Sequence, residues 1–99
     1  MNSKIKNESV DFLFKCILAL DSVEECYDFF EDLCTFPEIK AMSQRVVVAK
    51  MLTDGTVYSN IVAQTGASTA TISRVNRSLQ VGNGGYNVVF GRIEQADEE

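Results

Sequence analysis

A length of 99 residues suits one domain, and 45% hydrophobic with 23% charged side chains is an ordinary soluble globular composition, far from disorder. With no histidine, no nucleophile paired with a base, and three cysteines lacking a Cys-x-x-Cys pair, neither an enzyme nor a zinc protein is indicated. No apolar run reaches about 18 residues and no small-residue cleavage site follows the N-terminus, so a cytoplasmic protein without a membrane span is expected.

Val10, Leu13, Phe14, Ile17 and Leu18 recur at helical spacing, while Phe12, Cys16 and Leu20 cover the opposite side. The pattern predicts a helix over about 8–20, apolar round most of its circumference, as helices buried between partners are. A chain this short carrying such helices is expected to share its core with a second copy. Asp21-Ser22 breaks the run, and Ser22 with Glu25 has capping-box spacing for a second helix over roughly 23–34. Its apolar stripe is Val23, Cys26, Tyr27, Phe30, Leu33 and Cys34. Glu24, Glu25, Asp28, Glu31 and Asp32 form a solvated face or, as a lesser reading, a dock for a basic partner. Cys16, Cys26 and Cys34 fall at apolar positions and read as reduced core thiols.

Thr35-Phe36-Pro37-Glu38 marks a third helix over about 37–53, because Pro37 has no N–H to lose at a helix start and Glu38 suits the positive dipole end. Ile39, Met42, Val46, Ala49 and Leu52 share one face, and Val47, Val48 and Met51 add a second, which predicts a central helix. Asp54-Gly55 ends it with glycine at the left-handed position, and Thr56 is the expected cap of a fourth helix reaching about Thr65. Ser68 is the expected N-cap of a fifth helix over about 69–80. Val81-Gly82-Asn83-Gly84-Gly85 reads as a linker, since no Lys-Ser/Thr follows to make a phosphate loop. Tyr86, Val89, Phe90 and Ile93 predict a short final helix, and residues 96–99 a frayed tail. No strand-like alternation occurs, so the fold class is all-α.

Residues of about 57–80 carry the binding chemistry. Ile61, Val62 and Thr65 form an apolar edge before a tight turn at Gly66-Ala67-Ser68, and Ala67, Ile72 and Val75 form another after it. That spacing is a helix-turn-helix whose second helix enters a major groove. Ser68, Thr69, Ala70, Thr71 and Ser73 are short side chains at a helix start, suited to base edges and close approach to the backbone. Arg74, Arg77 and Lys50 are candidates for phosphates, with Ser59 and Asn60 adding neutral contacts from the fourth helix. The net charge of −5 is the wrong sign for such a role until it is divided. Residues 40–80 hold Lys40, Arg45, Lys50, Arg74 and Arg77 against Asp54 alone, whereas both flanking segments are acidic. The positive potential therefore coincides with the helix-turn-helix.

The stretch from Gly66 to Leu79 closely resembles the recognition segment of the Trp repressor family. Thr35 through Leu52, with Arg45 ten residues after Thr35, is similar to that family's central helix. With the glycine-rich break behind the fifth helix, the chain looks most like the YerC/YecD-like branch of the Trp-repressor-like proteins. The resemblance implies a single domain over 1–99: a six-helix Trp-repressor-like fold forming an intertwined homodimer that binds double-stranded DNA. It further implies a transcriptional regulator, acting as a repressor, with half-sites about one DNA turn or roughly 34 Å apart.

Thr35, Arg45, Thr71, Arg74 and Ser78 match positions around the corepressor in tryptophan-responsive members. Val75 stands where those members have glycine, and its branched side chain takes up volume that the ligand needs. No cofactor is therefore expected, tryptophan included. An effector pocket of Thr35, Arg45, Arg74, Val75 and Ser78 for some other small molecule stays open. The alternative of a different class is a dimeric protein-interaction adaptor, docking through the acidic second helix, with the helix-turn-helix a relic.

Overall fold

The structure is a computed structural model that describes residues 6–98, so Glu99 of the tail lies outside the described residues. Six helices form in the expected order: α1 (Glu8–Leu18), α2 (Val23–Leu33), α3 (Phe36–Thr53), α4 (Tyr58–Thr65), α5 (Thr69–Val81) and α6 (Gly85–Glu98). Among the described residues there is no strand, and no helix is long and apolar enough to cross a membrane. The chain comprises two compact units, Met1–Ile39 and Lys40–Glu99, with the divide inside α3.

In the first unit the helix starts follow from local hydrogen bonding. Asn7 accepts from the Val10 N–H at 2.9 Å and opens α1. Ser22 accepts from the Glu25 N–H at 3.1 Å, while the Glu25 carboxylate accepts from the Asp21 N–H at 2.8 Å. The reciprocal half of the expected capping box thus reaches one residue further back than anticipated. α3 begins one residue earlier than expected, at Phe36, because Thr35 and Glu38 make a capping box of their own. Glu38 accepts from the Thr35 N–H at 2.8 Å, and Thr35 Oγ1 accepts from the Glu38 N–H at 3.3 Å.

None of the described residues of α1 or α2 is buried. Phe12, Leu18, Val23 and Phe36 are each more than two-thirds exposed, and Val23, Cys26, Tyr27, Phe30, Cys34 and Phe36 line a cleft of about 570 Å³. Cys16, Cys26 and Cys34 are free and half-buried rather than enclosed in a core within this unit.

The second unit has the core. Val48 and Ala49 of α3, Ile61 of α4, Ala67 of the turn, Ile72 and Val75 of α5 and Phe90 of α6 are buried together, with Met51, Leu52, Leu79 and Tyr86 against them. Burial of such side chains is the main favourable term for a unit of this size, about 1.5–3 kcal/mol for each large one. The Asp54-Gly55 stop forms as expected. Gly55 is left-handed at φ 82°, its N–H donates to the Leu52 carbonyl at 3.0 Å, and the Thr56 N–H donates to the Met51 carbonyl at 2.9 Å.

Four expectations change here. Thr56 does not cap α4: the helix starts at Tyr58, which puts Val57 at the N-cap position without a side-chain bond. Val62 is 38% exposed instead of lying on the apolar edge, because Ile61 alone turns into the core from that part of α4. Val46 and Val47 are about half exposed, so the inward face of α3 in this unit is set by Val48 and Ala49. Finally, α6 is a 14-residue helix rather than a short one, and residues 96–98 belong to it instead of fraying. Gly82 ends α5, since a Cβ there would run into the Ser78 carbonyl.

Candidate nucleic-acid interface

The turn between α4 and α5 is built from side chains as well as glycine. Gly66 is left-handed at φ 72°, and its N–H donates to the Val62 carbonyl at 2.9 Å. Thr65 braces both sides: its hydroxyl donates to the Ile61 carbonyl at 2.7 Å and accepts from the Ala67 N–H at 3.1 Å. Gln44 of α3 donates to the Thr65 carbonyl at 3.3 Å, which ties the end of α4 to the scaffold helix. Such bonds take up carbonyls that a helix end would otherwise leave open.

Ser68 then caps α5 as expected. Its Oγ accepts from the Thr71 N–H at 3.1 Å and its hydroxyl donates to Thr71 Oγ1 at 3.0 Å. Ile72 is 0% and Val75 3% exposed, so these two side chains clamp the inner face of α5 to the core. The outward residues are Ser68, Thr69, Ala70, Ser73, Arg74 and Arg77, all exposed, with Thr71 half-buried beside the cap. A capped helix start of short side chains, followed by two guanidinium groups, can approach a polyanion closely. Ser59 and Asn60 are exposed in the first turn of α4.

Lys50, expected to reach phosphate, is paired within the chain. Its ammonium lies 3.1 Å from Asp54 Oδ1 and 3.1 Å from Glu94 Oε1, and 5.7 Å from the centroid of the Phe90 ring. The bonds from Asp54, then from Glu94, hold its pKa above the ordinary lysine value. The two carboxylates offset the ammonium charge locally, and the pair with Glu94 links α6 to α3.

Of the residues named for an effector pocket, Thr35 and Ser78 are hydrogen-bonded locally and Val75 is buried. Thr35 is the cap of α3, and the Ser78 hydroxyl donates to the Arg74 carbonyl at 3.3 Å. Val75 is buried in the same core as Ile72 and Phe90, and Arg45 and Arg74 are exposed cations. Two further residues escaped sequence reasoning. Asn76 of α5 donates through Nδ2 to the Tyr58 hydroxyl of α4 at 3.1 Å. Polar residues at that separation carry no periodic signal, so only the approach of the two helices brings them together.

Comparison with known proteins agrees with this geometry. The family model described as Trp repressor protein matches residues 8–94. An uncharacterized protein of Bacillus subtilis (strain 168), YerC, is 48% identical over 96 residues, spanning 97% of this chain and 92% of the relative. A crystal structure from Staphylococcus aureus, described as a candidate Trp repressor, superposes with a TM-score of 0.90 at 50% identity, covering 95% of each chain. A TrpR-like protein from Eubacterium eligens ATCC 27750 gives a TM-score of 0.90 at 56% identity, covering 94% of this chain and 96% of the other.

Proposed function

The chain belongs to the Trp repressor family, and from that premise we propose that it is a sequence-specific regulator of transcription that represses as a homodimer. The family is one of DNA-binding regulators. The observation that carries the reading is the outer face of α5: exposed Thr69, Ala70, Ser73, Arg74 and Arg77 on a helix capped by Ser68 and pinned from behind by Ile72 and Val75. Thr69, Ala70, Thr71 and Ser73 meet base edges, Arg74 and Arg77 meet phosphates, and Ser59 and Asn60 add neutral contacts from α4. Lys50 is left out of the contact set because Asp54 and Glu94 already hold it.

The homodimer is supported by exposed apolar residues of α1, α2 and the start of α3. Phe12 is 68%, Leu18 83%, Val23 72% and Phe36 76% exposed in the single chain, an apolar surface that a second copy would cover. Independence from tryptophan is supported by Val75, which occupies core volume with its own side chain and so positions α5 without a ligand. Duplex binding by the wild type should weaken steeply with salt, and the double variant Thr71→Asp with Arg74→Glu should lose it. Salt-independent binding, or binding kept by that variant, removes this mechanism.

A further inference from the structure

The Asn76–Tyr58 hydrogen bond has no part in the core and none in the contact set, yet among the described residues it is the side-chain to side-chain hydrogen bond that joins α4 to α5. Tyr58 is the first residue of α4, and Asn76 lies in the middle of α5, one position after the buried Val75. Ile61 of α4 shares a buried core with Ile72 and Val75 of α5, and the Gly66 turn joins the two helices. The buried Ile72 and Val75 fix which face of α5 points inward, yet non-directional apolar packing leaves a small residual roll about the helix axis. A hydrogen bond is directional and resists that roll. Asn76 follows Ser73 by three residues and Thr69 by seven, so it borders the outward strip, and fixing its side chain fixes where that strip points.

We infer that Tyr58 and Asn76 form a polar clamp that sets the roll of the recognition helix, and with it the selectivity of the α5 outer face among duplexes. Both are positioning residues, and the inference rests on the DNA-binding reading. The clamp adds little to global stability, because Tyr58 is 39% exposed and its partner is half-buried, where water readily replaces the bond. Its effect lies in discrimination: a rolled helix still meets phosphates through Arg74 and Arg77, whereas short side chains such as Thr69 and Ser73 lose their base edges.

The test uses the full chain with Tyr58→Phe, Asn76→Ala and the double variant. Each is titrated against a duplex selected by the wild type and against a scrambled duplex, with thermal unfolding measured alongside. Each single variant should bind the selected duplex about fivefold more weakly, the factor carried by one ordinary hydrogen bond, with the scrambled duplex and the melting temperature nearly unchanged. The double variant should be no worse than either single, because both remove the same bond. Additive losses, or losses equal on both duplexes and matched by a lower melting temperature, overturn the clamp. Discrimination kept in full by both single variants overturns it as well. Failure of the wild type itself to prefer any duplex removes the DNA-binding reading and the clamp with it.

Discussion

Replacing Val75 with alanine asks whether the recognition helix is fixed from within. Val75 is 3% exposed and packs with Val48, Ala49, Ile61, Ala67, Ile72 and Phe90, so both of its terminal methyl groups are buried. Their removal costs about 1.6 kcal/mol in transfer free energy at roughly 0.8 kcal/mol per buried carbon. The void left between α5 and α6 adds to that cost, while the better helix propensity of alanine returns about 0.5 kcal/mol. The net expectation is a loss of about 2 kcal/mol. Urea denaturation followed by helical circular dichroism reads it, at fixed protein concentration because a dimer's stability depends on concentration. Duplex affinity should fall with it, since α5 is then free to shift. A loss below about 0.5 kcal/mol, the range of inert surface changes, would refute the assignment of Val75 as the internal strut.

Other expectations concern the supports around that strut. Ser68→Ala removes the acceptor of the Thr71 N–H and should cost about 1 kcal/mol by the same urea assay. Lys50→Met should leave duplex affinity and its salt slope unchanged, because Asp54 and Glu94 already neutralise the ammonium, whereas Arg77→Ala should reduce the slope by about one. The Thr35 N–H, and after it the Thr35 hydroxyl, hold the Glu38 carboxyl below its ordinary pKa of 4.5. A depressed carboxylate stabilises the fold above the ordinary value and loses that contribution as pH falls through the depressed one. Glu38→Gln should therefore lower the urea midpoint near neutral pH, with the gap to wild type closing on acidification; a constant gap would contradict this.

How much of this was legible in the sequence varies with the range of the interaction. The parts of the turn set by local rules were readable: Gly66 supplies the left-handed position, Ser68 the cap, and Ile72 and Val75 the inward face of α5. The division of charge was readable too, since it needs only counting along the chain. α3 was harder. Its Val46-Val47-Val48-Ala49 run is apolar in every direction, so periodicity cannot choose a face, and packing against α4, α5 and α6 picks Val48 and Ala49. The pairing of Lys50 was hidden because its second partner, Glu94, is 44 residues away, and a cation read in isolation looks free. Thr56 looked like a cap by residue type, but α4 starts one residue later than such a cap requires, at Tyr58. The length of α6 was missed because the apolar spacing ends at Ile93 and the acidic end reads as a tail, whereas the helix runs on to Glu98 and Glu94 is tied to Lys50.

The central claim is that α5 is placed by the protein's own core and reads DNA without a ligand. Selection of bound sequences from random duplexes, run with and without saturating L-tryptophan, tests it most directly. The account predicts one near-palindromic motif, with half-sites about one helical turn apart, enriched equally in both arms. Enrichment that appears only with tryptophan would contradict the role given to Val75, and no enrichment in either arm would contradict the DNA-binding function itself.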